Sequence, residues 1–94
     1  MANLQYTQTA REDLRAIYEF IARDSVFYAE TFIDRLMMSA ERLEKYPLSG
    51  RMVPEIGDAN VREIIYKAYR IMYLIDGDNV YITQITHCAQ DFKP

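Results

Sequence analysis

Apolar residues recur with a helical period in the first half of the chain and with the alternating period of strands in the second half. In residues 8–24 they follow the i, i+3, i+4, i+7 spacing of one helix face. These positions are Leu14, Ile17, Tyr18 and Ile21. The helical period continues through residues 25–46, where Ser25 can cap the helix and Pro47 stops it. Because only Asp24 and Ser25 separate the two stretches, we predict an antiparallel helix hairpin.

Three stretches with alternating apolar, aromatic and β-branched residues follow, and each predicts a strand. They span residues 61–67, 69–76 and 79–87. Asp76-Gly77-Asp78-Asn79 predicts a tight hairpin turn, because Gly and Asn tolerate positive φ. Residues 47–60 contain most of the Gly and Pro residues and predict a loop. Near the start, Leu4-Gln5-Tyr6 predicts a short edge strand, and Thr9 with Glu12 has the spacing of a helix capping box.

This order of elements predicts the α+β class, with an N-terminal helix hairpin packed on a small antiparallel β-sheet (β-α-α-β-β-β). The 94 residues are enough for one hydrophobic core, so we expect a single domain, 1–94. The predicted core consists of Leu14, Ile17, Ile21, Phe32, Ile33, Leu36, Ile71, Tyr73 and Ile85.

Charge and cysteine usage narrow the function classes. The formal net charge is −3 and the pI is near 5.0, whereas a general nucleic-acid binder is usually basic. The single cysteine, Cys88, cannot form an intrachain disulfide, which suits a reducing compartment. The opening residues do not have the pattern of a signal peptide and no apolar run is long enough to span a bilayer, so we expect a cytoplasmic protein. One cysteine and one histidine cannot form a common zinc site, and we expect no metal and no cofactor.

The candidate functional side chains are basic and lie in the second half of the chain. Arg62 and Arg70 lie on neighbouring predicted strands, where they could form a fork that binds phosphate or carboxylate. Alternatively, they pair with Glu63, Glu55 or helix carboxylates within this chain. His87 could act as a general acid or base in phosphodiester cleavage, or could only be a hydrogen-bonded residue at a strand end.

The order and spacing of several short motifs resemble the RelE/ParE superfamily of bacterial toxin–antitoxin modules. The resemblance extends from about Tyr6 to Phe92. The motifs are the Asp24-Ser25 junction followed by Ala29 and Phe32, Pro47-Leu48-Ser49-Gly50-Arg51, Arg62-Glu63-Ile64, Tyr69-Arg70-Ile71-Met72-Tyr73 and His87-Cys88-Ala89-Gln90-Asp91-Phe92.

The resemblance implies one of two activities. RelE-like members are ribosome-dependent endoribonucleases that use several basic residues, and here the catalytic set would be His87, Arg70 and Arg62. ParE-like members poison DNA gyrase and arrest growth without that set. The acidic balance favours the ParE-like branch, because a protein that docks among rRNA phosphates gains affinity from each phosphate it neutralises. The tail from His87 to Asp91 is also similar to that of many ParE-type sequences.

The resemblance further implies protein partners. Either branch would be neutralised by a cognate antitoxin from an adjacent gene, with no membrane contact. The resemblance allows a heterotetramer or a larger toxin–antitoxin assembly. DNA gyrase is the expected target, and the ribosome with its mRNA is the alternative. A third possibility is a non-toxic module that only binds an antitoxin. The residues expected to contact a target or partner are Arg51, Arg62, Arg70, His87, Gln90 and Asp91.

Overall fold

A computed structural model describes residues 1–89, which form a helix hairpin packed against a five-stranded sheet. The elements are β1 (Asn3–Tyr6), α1 (Gln8–Ala22), α2 (Val26–Glu41), β2 (Arg51–Met52), β3 (Val61–Tyr66), β4 (Tyr69–Asp76) and β5 (Asn79–His87). Two short 3-10 turns lie between α2 and β2, at Arg42–Glu44 and Pro47–Ser49. The predicted α+β class is confirmed. Neither helix in this part of the chain has the length and apolarity needed to cross a membrane.

Helix α1 begins two residues earlier than the capping-box pattern at Thr9 predicts. The side-chain oxygen of Thr7 accepts a hydrogen bond from the Ala10 amide at 3.2 Å, and Thr9 lies inside the helix. The same Thr7 hydroxyl donates to the carbonyl oxygen of Thr83 in β5 at 3.1 Å. The prediction of a cap at Thr9 is therefore wrong, because a contact with β5 that is distant in sequence selects Thr7 as the cap.

Helix α2 begins as predicted and ends earlier than predicted. Ser25 accepts a hydrogen bond from the Tyr28 amide at 3.1 Å and caps the helix. The α-helix ends at Glu41 and tightens into a 3-10 turn in which Leu43 is fully buried. The carbonyl oxygen of Glu44 then accepts a hydrogen bond from the Ala2 amide at 2.7 Å, which joins the end of the helix hairpin to the start of β1.

The sheet is mixed, with the strand order β1-β5-β4-β3-β2. Strands β3, β4 and β5 pair antiparallel, as predicted, and β2 also pairs antiparallel with β3, but β1 pairs parallel to β5. The prediction of a purely antiparallel sheet is wrong at this edge. Alternating polar and apolar residues look the same in either pairing direction, so the pattern in Asn3–Tyr6 predicts a strand but not its orientation.

The region predicted as a loop, residues 47–60, contains one further strand. Arg51 and Met52 form β2 and pair with Glu63 and Arg62 at the outer edge of the sheet. A strand of two residues shows no alternation, so its sequence cannot predict it. The side chain of Val53, which follows β2, is fully buried.

The core lies between the helix hairpin and one face of the sheet. All nine predicted core residues belong to it, with Ile21 and Ile33 only partly buried. A bulge opposite Met72 and Tyr73 inserts Thr83 as an extra residue in β5. The bulge lets Ile82 and Ile85 both reach the core although they are three positions apart.

Tyr73 connects this core to the turn before β2. Its buried phenol donates a hydrogen bond to the carbonyl oxygen of Pro47 at 2.6 Å and accepts one from the Gly50 amide at 3.0 Å. A Cβ on Gly50 would overlap the Tyr73 hydroxyl and would lie 2.6 Å from the carbonyl oxygen of Glu63. The chain therefore approaches Tyr73 more closely than any residue other than glycine allows.

We expect Tyr73→Phe to destabilise the protein by about 1–3 kcal/mol, because it leaves the buried Gly50 amide without its acceptor. Gly50→Ala should destabilise it as well, since backbone atoms must move to accommodate the methyl group. Urea unfolding measures both effects. Tyr46→Phe, at a tyrosine that is exposed, is the matched control and should have no comparable effect. Equal stabilities of Tyr73→Phe and the control would contradict the proposed role of the phenol.

Tyr6 in β1 should make the protein sensitive to alkali. Burial, followed by the nearby carboxylates of Glu41 and Glu44, raises the pKa of the Tyr6 phenol from 10.0 to about 12. The unfolded chain loses this proton first, so the stabilising contribution is complete below pH 10 and is lost as the pH rises to about 12. Urea unfolding at pH 9 and pH 11.5, two values chosen to bracket roughly this window, should show a smaller loss for Tyr6→Phe than for the wild type. An unchanged pH dependence in Tyr6→Phe would contradict this assignment.

Candidate functional site

One charged cluster, formed by Glu63, Arg51 and Arg70, lies near the outer edge of the sheet. Oε1 of Glu63 accepts a hydrogen bond from Nε of Arg51 at 2.7 Å. Oε2 of Glu63 lies 2.7 Å from both Nε and Nη2 of Arg70. The Glu63 side chain is completely buried, and it is the one charged side chain among residues 1–89 that is buried.

The strand register brings these three residues together. Arg51 of β2 lies directly opposite Glu63 of β3. Glu63 lies opposite Met72 of β4, and Arg70 is two positions before Met72, on the same side of its strand. All three side chains therefore project from the face of the sheet that points away from the helices. Ile71 and Tyr73 project from the other face and belong to the core under the helices.

The two arginines of the cluster differ in exposure. The Arg70 side chain is 12% exposed and that of Arg51 is 69% exposed. A buried carboxylate is stable only when it is paired and hydrogen-bonded, and Arg70 meets that requirement from within the protein. Two cations and one anion leave the cluster with a net charge of +1, and the surplus charge lies on the exposed Arg51 guanidinium.

Arg62 belongs to the other face of the sheet. It lies opposite Tyr73, and its guanidinium donates to the carbonyl oxygens of Gly50 at 2.9 Å and Ala59 at 2.8 Å. The predicted fork of Arg62 and Arg70 does not form. Arg70 lies opposite Ile65, which is three positions after Arg62 and therefore projects from the other face of β3. The alternative of internal pairing is confirmed for Arg70, whose partner is Glu63.

His87 lies at the end of β5, on the helix side of the sheet. Its ring contacts the edge of Tyr69 with 5.3 Å between ring centroids, and its Nδ1 accepts a hydrogen bond from the Ala89 amide at 3.0 Å. It lines an open groove of about 540 Å³ between α1 and β5, to which Asp13 and Phe20 also contribute. Arg70 projects from the opposite face, because it follows Tyr69 directly along β4.

The three residues of the expected nuclease set therefore do not converge. His87 and Arg70 lie on opposite faces of the sheet. Arg62 shares the helix side with His87, but it lies opposite Tyr73, whereas His87 lies opposite Tyr69. Tyr69 and Tyr73 are four positions apart on β4, which corresponds to about 13 Å along the strand. Gln90 and Asp91, the other expected partner-binding residues, lie outside the described residues 1–89.

The sequence indicated Glu63 only as one of several pairing candidates. It predicted Tyr73 as a core residue but did not indicate the hydrogen bonds of its phenol. The available signal was a single carboxylate in a strand that is otherwise apolar apart from Arg62, with further arginines before and after the strand in the chain. That signal does not tell which arginine pairs with Glu63, because the register of β2 and β4 against β3 decides it.

Sequence comparison relates the chain to toxins of bacterial toxin–antitoxin systems. The family model described as the ParE toxin of the type II toxin–antitoxin system parDE matches residues 4–92. Toxin RelE2 of Caulobacter vibrioides is 33% identical over 91 residues, which covers 96% of this chain and 99% of that protein.

Two solved structures share the fold. A chain from the chromosomal ParDE system of P. aeruginosa matches with a TM-score of 0.76 at 20% identity, covering 93% of this chain and 96% of that chain. A chain from the toxin–antitoxin complex RelBE2 of Mycobacterium tuberculosis matches with a TM-score of 0.66 at 24% identity, covering 92% and 96%. At these identities the likeness concerns the fold alone.

Substitutions in the charged cluster should separate its buried half from its exposed half. Glu63→Gln removes the negative charge that pairs with the nearly buried Arg70, and we expect a loss of about 3–5 kcal/mol in the free energy of unfolding. Arg51→Ala removes the exposed partner and should cost less than about 1 kcal/mol. Urea unfolding of both variants measures the difference. Similar losses in the two variants would show that Arg51 is as important as Arg70 for burying the carboxylate.

Proposed function

The chain belongs to the family of ParE toxins of type II toxin–antitoxin systems, and from this premise we propose that it acts by inhibiting DNA gyrase. We also propose that an antitoxin encoded by an adjacent gene neutralises it. Inhibition of this kind requires a docking surface on the toxin and no catalytic side chains.

The separation of His87, Arg70 and Arg62 is the observation that carries this proposal. A nuclease that cuts RNA through its 2′-hydroxyl needs a proton-transfer group and phosphate-binding cations around one phosphodiester. Here Arg70 is committed to the buried carboxylate of Glu63, and Arg62 donates to two backbone carbonyls. Neither guanidinium lies where it could act on a substrate held by His87, so the geometry favours a toxin that works by binding.

The charge of the chain supports the same assignment. A protein that binds among rRNA phosphates gains affinity from each phosphate it neutralises, and this chain carries a net charge of −3. Within the described residues, three of the candidate cations are partly or wholly used in internal bonds. A protein target does not require a basic surface, so the acidic balance is compatible with gyrase.

An antitoxin partner is supported by the structural relatives and by the surface of the helix hairpin. The relatives come from the ParDE system and the RelBE2 complex, each of which pairs a toxin with an antitoxin. The loop end of the hairpin exposes large apolar side chains, and a monomer rarely leaves several such side chains together in water. These are Phe20, Val26, Phe27 and Tyr28. The adjacent groove lined by Phe20 and His87 extends this apolar surface.

The alternative is a RelE-like, ribosome-dependent endoribonuclease. It is favoured by the name of the relative Toxin RelE2, which is 33% identical to this chain. A non-toxic module that only binds an antitoxin is the remaining alternative, since a ParE-like toxin has no catalytic residue whose loss would reveal inactivation.

We expect the protein, when expressed alone in bacteria, to arrest growth, and co-expression of its genomic neighbour to restore growth. The purified toxin should block DNA supercoiling by gyrase or stabilise cleaved DNA, because the proposed target is gyrase, and it should leave cell-free translation running. Supercoiling and translation assays on the same preparation provide the measurement. Gyrase mixed with the toxin–antitoxin complex is the control.

The same experiments distinguish the alternatives. Ribosome-dependent mRNA cleavage by the wild type that falls by about 10²-fold or more in His87→Ala would replace gyrase inhibition with nuclease activity. No growth arrest at high expression would support the inert binding module instead.

A further inference from the structure

Residues 45–52, which we call the basic turn, form a surface at the β2 edge of the sheet that the helix hairpin does not use. The segment contains Lys45 and Arg51 and no carboxylate, although the whole chain has a net charge of −3. It is bounded by Glu44 before it and Glu55 after Val53 and Pro54. The basic turn is therefore a local positive region on an acidic protein.

The basic turn also exposes large apolar side chains. Tyr46 is 57% exposed, Leu48 is 67% exposed and Met52 is 42% exposed. Residues 45–49 line an open hollow of about 500 Å³. Met52 alternates with Arg51 along β2 and therefore projects from the other face of the strand. Tyr46 and Arg51 are of residue types that are enriched at protein–protein interfaces.

The basic turn is held in shape by bonds to the rest of the protein. The Tyr73 phenol binds the carbonyl oxygen of Pro47 and the amide of Gly50, and Arg62 donates to the carbonyl oxygen of Gly50 at 2.9 Å. The ammonium of Lys45 lies 5.5 Å from the centre of the Tyr46 ring. A surface that is ordered before binding loses less conformational entropy when a partner docks.

Arg51 gives this surface its specific chemistry. Glu63 holds Nε of Arg51 at 2.7 Å, and the 69% exposure of the side chain leaves its terminal amino groups facing solvent. Arg70 already neutralises Glu63, so the Arg51 charge is not balanced within the cluster. An oriented guanidinium of this kind binds a carboxylate through two parallel hydrogen bonds.

We propose that the basic turn is the surface through which this toxin docks on its target, and that it binds a protein segment with a carboxylate flanked by apolar side chains. This inference rests on the proposed function and deepens it by assigning the docking site. Arg51 binds the carboxylate, and Tyr46 and Leu48 contact the apolar neighbours.

A protein segment fits this surface better than a nucleic acid. A phosphodiester backbone presents regularly spaced charges and favours many basic contacts, whereas the basic turn offers two cations in an acidic chain. The turn also exposes Tyr46 and Leu48, and a phosphate backbone gives those side chains no apolar partner.

The test uses the full-length toxin with the substitutions Arg51→Ala, Arg51→Lys and Leu48→Ser. We expect Arg51→Ala and Leu48→Ser each to weaken gyrase inhibition by at least about tenfold, which is typical of interface hot spots. Arg51→Lys should weaken inhibition less than Arg51→Ala does, but it should not reach the inhibition of the wild type, because an ammonium cannot form the two-point contact. Growth arrest should need correspondingly higher expression. Binding to the antitoxin should change by less than about threefold, which is under 1 kcal/mol.

Arg15→Ala is the matched control. Arg15 is also an exposed arginine paired with a glutamate, Glu19, but it lies on α1, which packs against β5 at the other side of the sheet. It should behave as the wild type. Thermal unfolding of each variant separates loss of docking from loss of folding, since Leu48 and Arg51 are exposed and their substitution should leave the melting temperature nearly unchanged.

The outcomes separate this inference from the proposed function. Full growth arrest by both Arg51→Ala and Leu48→Ser would overturn the docking surface, whatever the target is. Loss of antitoxin binding with arrest retained would also overturn it and assign the turn to the antitoxin. An effect confined to mRNA cleavage would overturn the assignment of a protein segment. If the wild type does not affect gyrase but both variants still lose growth arrest, the gyrase proposal fails and the docking surface stands.

Discussion

The buried carboxylate of Glu63 is the constraint on which the outer edge of the sheet depends. A charge removed from water must be neutralised by partners with good geometry, and Glu63 obtains them from two other strands. Arg70 of β4 and Arg51 of the two-residue strand β2 both pair with this carboxylate, so it links three neighbouring strands. A strand as short as β2 has few ladder hydrogen bonds of its own, so side-chain and turn contacts must hold it in place.

Tyr73 provides the second tie at this edge, from the opposite face of the sheet. Its ring belongs to the core beneath the helices, while its hydroxyl binds the turn before β2. Glycine at position 50 makes this close approach possible. The hydrogen bonds to a buried core residue therefore hold the turn in place, although the turn is exposed. An exposed segment ordered in this way is suited to recognising a partner, because little of the binding free energy is lost in ordering it.

The structure separates two surfaces that differ in chemistry. The groove between α1 and the C-terminal end of β5 is lined mostly by apolar side chains, with His87 and Asp13 among its lining residues, and β5 is the strand next to the β1 edge of the sheet. The basic turn lies at the β2 edge, at the other end of the strand order. A toxin of this family that meets both an antitoxin and a target has room for each on a different edge. The fold itself is compatible with several activities, so the distinction between them depends on which side chains converge.

The sequence by itself determined the class of the fold, the helix hairpin and the three long strands, because the periods of 3.6 and 2 are properties of consecutive residues. It also determined nine of the core positions, from Leu14 in α1 to Ile85 in β5. It could not determine the parallel direction of β1, the strand β2 or the cap at Thr7, since each depends on a contact with a strand far away in the chain. The candidate site followed the same rule. Composition and order singled out Arg51, Arg62, Arg70 and His87, but only the register of β3 against its neighbours decided their faces, since a shift of one residue moves a side chain to the other side of the sheet.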